Sequence, residues 1–193
     1  MAASKFTKAY AKRIAEEERA ELGYDLFQPL DPYLLAEHHG IHVFTLTDLA
    51  SEGGVIQEAH AYFTNTRPAA FSGALLPIGT GHAIVVNSAH PAVRLRSTVA
   101  HELAHVLLEH EFTTTLHLSG RCRQSDSAQE DQAAELSGEL LIPRDAAVRS
   151  ALKQHDNDWV ASTFEVSIEF ARWRMNATGA RTVAARARAK AAR

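Results

Sequence analysis

The chain has 193 residues, of which 46% are hydrophobic and 22% are charged, a composition that suits one compact unit or a medium-sized domain with a small appendage. The formal net charge of −3 excludes a protein that coats nucleic acid broadly. Cys122 is the single cysteine, which excludes an internal disulfide and a cysteine-based zinc finger, so any metal must be held by nitrogen and oxygen ligands.

The N-terminal part of the chain is charged and begins with helical patterns. No stretch approaches the roughly 20 consecutive apolar residues of a membrane span, and both charge signs interrupt the region where a secretory signal would be apolar. We therefore expect a cytoplasmic protein with no membrane contact. Residues from about 4 to 22 predict a surface helix that ends at Gly23. A short second helix is expected with Asp31 as its cap, Pro32 in its first position and Gly40 at its exit.

The middle of the chain predicts a small sheet followed by a long helix. "IHVFTL" alternates and is β-branched, and "AFSGALLPIGTGHAIVVN" contains two apolar runs around a glycine turn, which indicates a hairpin with "AIVVN" as its more buried strand. Asn87 or Ser88 is expected to cap the long helix, and Pro91 fits its first turn. Its apolar stripe should pack on the sheet, and that stripe contains Leu95, Val99, Leu103 and Leu107.

The long helix carries a candidate metal motif in "VAHELAHVLLEH". His101 and His105 stand four residues apart, with Glu102 directly after the first histidine. A helix turns about 100° per residue, so both imidazoles project from nearly the same face and can reach one ion. Catalytic zinc takes three protein ligands and leaves a fourth position to water. The pattern predicts a Zn²⁺ site with Glu102 as the base, and the alternative is an amphipathic helix that is merely rich in histidine.

The third ligand must come from elsewhere in the chain. Glu130 is the preferred candidate because it opens the next predicted helix, where its carboxylate can project at the ion. Glu135 and Glu139 lie on later turns of that helix and are expected to face solvent. His110 is rejected, since no glycine precedes it as the extended H-E-x-x-H-x-x-G-x-x-H pattern requires, and His117 has no supporting pattern.

Two segments resemble the ImmA/IrrE family of zinc metallopeptidase-like proteins, also called the DUF955 group. "RSTVAHELAHVLLEH" is similar to the family's R-F-T-x-A-H-E-L-x-H, and "EDQAAELSGELLIP" is similar to its E-x-x-A-N-x-F-A-x-x-L-L-x-P. The strands upstream and "WVASTFEVSIEFARWRM" downstream extend the resemblance from about residue 30 to 177. Four positions depart from the family pattern without removing a ligand, namely Ala104, Ala134, Leu136 and Ser137.

The resemblance implies a fold, a site and an activity. The family's metal ligands fall on His101, His105 and Glu130, and its catalytic glutamate falls on Glu102. The implied fold is α+β, a zincin-like minimal metallopeptidase with a small mixed or antiparallel sheet on the motif helix, followed by a helix-turn-helix-like segment. The implied activity is a cytoplasmic endopeptidase that cleaves a helix-turn-helix repressor and so induces genes of a mobile element or a stress response.

The C-terminal part of the chain allows a second interpretation. We divide the chain into a peptidase domain (1–145), a helical helix-turn-helix-like segment (146–180) and a basic tail (181–193). We expect the tail to be a solvated, frayed helix.

The helix-turn-helix-like segment could contact DNA or protein. Arg172 and Arg174 are placed to meet DNA phosphates, but Glu169 opposes such contact. The favoured role of the segment is packing against the peptidase part or binding the protein substrate. The alternative function is a non-proteolytic regulatory module that acts on a repressor or on operator DNA.

The group that stabilises the oxyanion of the reaction is left open by the sequence. Tyr62, His82 and His117 are candidates, and no spacing favours one of them. Cys122 lies in a polar stretch without a neighbouring motif and is interpreted as a loop thiol.

Overall fold

The computed structural model describes residues 6–51, 55–110 and 127–191. The strands are β1 (His42–Thr45), β2 (Gly73–Ile78) and β3 (Gly81–Val86). The helices are α1 (Lys8–Glu21), α2 (Pro32–His38), α3 (Leu46–Ala50), α4 (Val55–Ala61), α5 (Ala92–Leu107), α6 (Ser127–Leu141), α7 (Arg144–Leu152), α8 (Asn157–Phe164), α9 (Ile168–Ala177) and α10 (Ala180–Ala191). Among these helices, none combines the length and the apolar character needed to cross a bilayer.

The sheet is mixed and small, and most of the described chain is helical, so the fold is α+β. Its strand order is β1-β3-β2, with β1 parallel and β2 antiparallel to β3. The turn of the β2–β3 hairpin contains Gly79 at a φ of +60°, which is the left-handed region that glycine adopts without strain. The last four residues of β3 are buried, as the apolar run in the sequence predicts.

Helix α5 packs on this sheet through its apolar stripe. Val99 and Leu103 are fully buried in one core cluster with Ile84 and Val86 of β3. Gly73, the first residue of β2, lies so close to α5 that an added Cβ would stand 2.4 Å from the Thr98 Cγ2 atom. The sheet therefore contacts α5 closely, through Val99 and Leu103 and through Thr98.

The expected cap of α5 is wrong by a few residues. The helix begins at Ala92 with Pro91 at the N-cap, and neither Asn87 nor Ser88 caps it. The Asn87 side-chain amide instead donates to the backbone carbonyls of Phe63, Pro68 and Phe71. Through these hydrogen bonds, Asn87 attaches residues 63–71 to the end of β3.

The C-terminal helices share a core with α5 and α6. A second cluster of buried residues combines Ala100 of α5 and Leu141 of α6 with apolar side chains of α7, α8, α9 and α10. The described part of the basic tail, residues 181–191, is helical and exposed at most positions, as a solvated helix should be, and it continues as a helix to Ala191. Helix α10 is attached to the second cluster by Ala180, which directly precedes the tail, and by Ala184, both fully buried.

A buried arginine corrects two further expectations. Arg174 is fully buried, where it donates to the Ile142 carbonyl and pairs with Glu135 and Glu139, so it does not face a DNA phosphate. Glu139 is 3% exposed and the Glu135 side chain is 12% exposed. The expectation that both face solvent is therefore wrong. Glu135 and Glu139 follow Glu130 by five and nine residues. Because a helix turns about 100° per residue, both side chains point away from the Glu130 side of α6, and they contact Arg174 of α9.

The Glu135 carboxylate allows a stability prediction. Burial opposes its ionisation, but hydrogen bonds from Arg174 and Lys8 outweigh burial, so the pKa of Glu135 lies below its usual 4.5. Its stabilising effect is therefore complete at neutral pH and is lost as the pH falls below 4.5. We expect Glu135→Gln to lower the free energy of unfolding by about 1.5–3 kcal/mol at pH 7, since a hydrogen bond to a charged group is worth about that much.

Urea unfolding of both proteins at neutral and acidic pH measures this effect. The difference between wild type and Glu135→Gln should shrink as the pH falls below 4.5. Glu17→Gln is the matched control, because Glu17 forms an exposed pair with Arg13 that is worth at most a few tenths of a kcal/mol, roughly 0.3–0.5. A difference that stays constant across this pH range would contradict the assignment.

Candidate metal centre

The candidate site begins on the polar side of α5. His101, Glu102 and His105 all lie within this helix, so the four-residue spacing of the histidines places their rings side by side, with centroids 5.0 Å apart. His105 is 1% exposed and Glu102 is 5% exposed, whereas His101 is half-buried. The site is thus open to solvent on the His101 side and closed on the His105 side.

The first turn of α6 completes the cluster. Helices α5 and α6 pack against each other, and this places the Glu130 carboxylate over the two imidazoles. Its Oε2 atom lies 3.0 Å from His101 Nε2 and its Oε1 atom 3.6 Å from His105 Nε2, while the two Nε2 atoms are 3.3 Å apart. Each side chain offers one ligand atom, and the three atoms lie within 4.8 Å of one another.

The donor set and its spacing fit a zinc ion. Two imidazole nitrogens and one carboxylate oxygen form a ligand set found in hydrolytic zinc sites. Two ligands at about 2.05 Å from a tetrahedral ion are separated by roughly 3.3 Å, and the three distances between these side chains scatter around that value. Among residues 6–51, 55–110 and 127–191, no other group of three or more His, Cys, Asp or Glu side chains is arranged this closely.

A third histidine approaches the cluster without offering it a ligand atom. His110 is 8% exposed, and its Nδ1 atom lies 2.9 Å from Nδ1 of His105, on the side of the His105 ring away from the other two ligand atoms. The Nε2 atom of His110 lies 3.1 Å from Oε1 of Gln132 on α6. Sequence reasoning considers His110 only as a ligand and therefore misses this contact with His105.

The candidates for oxyanion stabilisation lie in different parts of the chain. Tyr62 is 43% exposed and opens a π-helical turn, and His82 is half-buried on β3. His117 falls outside the described residues, as does Cys122. The described residues do not decide between Tyr62 and His82, so the choice among the candidates remains a prediction.

The sequence matches a known protein family. The model of a family described as Peptidase_M78, IrrE N-terminal-like domain, matches residues 36–176, more than two thirds of the chain. The matched range includes β1, β2 and β3 and runs from the end of α2 almost to the end of α9, so it contains the whole cluster. No curated protein matches the sequence significantly.

Proposed function

Since the chain belongs to the Peptidase_M78 family of IrrE N-terminal-like domains, we propose that it is a zinc-dependent endopeptidase. The observation that carries the proposal is the convergence of His101, His105 and Glu130 on one point from two packed helices. The peptidase family name gives the reaction class, and the donor set favours zinc over metals that prefer oxygen ligands alone.

The proposed roles follow from the chemistry of each side chain. His101 and His105 would bind the ion through Nε2 and Glu130 through its carboxylate. When bound, zinc supplies a Lewis acid for the scissile carbonyl and lowers the pKa of a coordinated water to about 7. Glu102 would act as general base, taking the proton of the attacking water and passing it to the leaving amine. Its position on α5 next to His101 and its burial suit a base with a fixed rotamer.

The substrate we propose is a helix-turn-helix transcriptional repressor, as the resemblance to the ImmA/IrrE group implies. Cleavage of such a repressor would induce genes of a mobile element or a stress response, and the proposal places the protein in the cytoplasm with its substrate. Strand β2 offers a physical route for binding, because within the described residues it pairs with β3 on one side only. An extended segment of the substrate could add to this edge, where Leu76 and Ile78 are exposed.

The C-terminal helices have a supporting role in this proposal. We propose that the peptidase domain spans residues 1–145 and that residues 146–180 support α5 and α6 through the second core cluster. The burial of Arg174 removes one of the two cations on α9 that a DNA reader would need. Packing or substrate contact therefore accounts for this segment better than recognition of operator DNA.

Incubation with a purified repressor tests the proposed function. The most suitable substrate is a small helix-turn-helix repressor encoded by a neighbouring gene, analysed by gel electrophoresis and mass spectrometry of the fragments. We expect cleavage at one or a few positions, loss of cleavage with a zinc chelator, and recovery when Zn²⁺ is restored. Cleavage that continues at the same rate in the chelator would contradict a metallopeptidase.

A further inference from the structure

Helix α5 ends in a tight turn formed by Leu108, Glu109 and His110. Leu108 caps the helix and Glu109 follows with a φ of +52°, in the left-handed region. The His110 N–H donates to the His105 carbonyl at 3.0 Å, and the Glu109 N–H donates to the Val106 carbonyl at 2.9 Å. These are the two hydrogen bonds of a Schellman motif, in which the residue after the left-handed position folds back over the last turn of the helix.

This motif determines which side chains meet at the end of α5. In a Schellman motif the second residue beyond the cap contacts the third residue from the helix end, usually through apolar side chains. Here those positions are occupied by His110 and His105, and the contact is a hydrogen bond between their Nδ1 atoms. Their rings lie with centroids 5.0 Å apart at 71°. A turn that usually makes an apolar contact therefore presents a nitrogen to the back of a candidate metal ligand.

The position of each ring nitrogen fixes the direction of the two hydrogen bonds from His105 to His110 and from His110 to Gln132. His105 Nε2 faces His101 and Glu130, so it must present its lone pair when a metal binds, and His105 then carries its proton on Nδ1. That N–H donates to the His110 Nδ1 atom, which must be an acceptor. His110 therefore carries its proton on Nε2 and donates it to the Gln132 Oε1 atom.

We propose that His110 is a positioning residue for the metal ligand His105, an inference that rests on the proposed zinc site. It accepts the His105 Nδ1–H, and so selects the His105 tautomer that has a free lone pair on Nε2 and fixes the ring plane. Histidine ligands of metals generally donate their second N–H to such an acceptor, and its loss typically weakens metal binding about 10–100-fold. Gln132 holds His110 in the matching tautomer from α6.

The same chain of contacts connects the two helices that supply the ligands. Gln132 lies two residues after Glu130 on α6, and His110 follows the end of α5. Movement of the two helices relative to each other would break the contact between His110 and Gln132 along with the cluster. His105 and His110 are both buried, so water competes poorly for the hydrogen bonds that connect His105, His110 and Gln132.

Two substitutions of His110 separate hydrogen bonding from volume. His110→Phe keeps a ring but removes the acceptor, whereas His110→Asn loses volume but keeps an oxygen close to the position of Nδ1. We expect zinc affinity, measured by competition with a chromogenic chelator, to fall about 10–100-fold in the Phe variant and to stay within a few-fold of wild type in the Asn variant. Co²⁺ absorption spectra should show a disturbed ligand field in the Phe variant only.

A matched control and a tautomer measurement complete the experiment. His90 is equally buried at 8% exposure and its ring bonds to the Pro68 carbonyl, so His90→Phe controls for the loss of a buried histidine. It should leave zinc affinity unchanged. In the zinc-loaded wild type, long-range ¹H–¹⁵N correlation should show the His105 proton on Nδ1 and the His110 proton on Nε2.

The outcomes distinguish this inference from the proposed function. Wild-type affinity in the Phe variant, or equal losses in the Phe and Asn variants, would overturn the role of His110 while leaving the zinc site intact. A wild-type protein that binds neither Zn²⁺ nor Co²⁺ would overturn the proposed function itself, and the role of His110 with it.

Discussion

Replacing Glu102 with Gln is expected to slow peptide cleavage about 10²–10⁴-fold while zinc binding stays within a few-fold of wild type. The amide keeps the size of the side chain and its place on α5 but cannot accept a proton from water. The two ligand histidines and Glu130 are untouched by the substitution. Cleavage rates of the repressor and zinc content of the same preparation measure both effects together.

This variant also separates the two classes of function. A regulator that acts by occupying a repressor or an operator needs the folded surface and not the base, so it should lose nothing in Glu102→Gln. Glu37→Gln, which changes an exposed glutamate on α2, should cleave like wild type and so controls for the change in net charge. Cleavage at the wild-type rate in Glu102→Gln would show that Glu102 is not the base.

Replacing Glu130 with Gln is expected to weaken zinc binding about 100-fold and to remove cleavage at low zinc. Four-ligand zinc sites bind with roughly 10–16 kcal/mol, so one ligand contributes about 3 kcal/mol, or about two orders of magnitude in affinity. A neutral amide is a much poorer zinc ligand than a carboxylate. Competition with a chromogenic chelator measures the affinity, and added zinc should partly restore cleavage.

Asp131 provides a stringent control for this experiment. It is the next residue on α6 and carries the same charge, but its side chain is exposed. Asp131→Asn should bind zinc like wild type, because it removes a nearby charge without removing a ligand. Equal losses in the two variants would mean that the general charge of the helix start, and not a Glu130 ligand, attracts the ion.

Capping residues and glycines predict much of the fold. Asp31 accepts the Tyr33 N–H at the start of α2, and Gly40 has a φ of +66° after its end. The segment between β1 and β2 is different, because α3 begins directly after β1 with a capping box between Thr45 and Asp48. The apolar pattern of the strand continues into Leu46, so alternation alone cannot separate the two elements.

Some residues of the candidate site could be placed from the sequence alone, and others could not. The placement of His101, Glu102 and His105 follows from helical geometry alone, since all three lie within about one turn. Glu130 is 29 residues from His101, so its approach depends on how α5 packs on α6. The contact between His110 and His105 depends on a left-handed Glu109, a position where glycine or asparagine would have signalled the turn.

Ion pairs between buried side chains are the least predictable feature of the fold. Arg174 has the pattern of a surface cation on an amphipathic helix, and Glu139 that of a solvated carboxylate. Their burial against each other arises because α6 and α9 pack across the second core cluster. Such pairing is a property of tertiary packing, which no local pattern contains.

The proposed function depends on one cation held by His101, His105 and Glu130. The distances among the three side chains also suit a hydrogen-bonded cluster, so the most direct test must detect the metal itself. Anomalous diffraction from zinc-loaded crystals, recorded on both sides of the zinc edge, should show one peak about 2.0–2.2 Å from both Nε2 atoms and from a Glu130 oxygen. Absence of that peak, or a peak held by other side chains, would contradict a zinc site formed by these three residues.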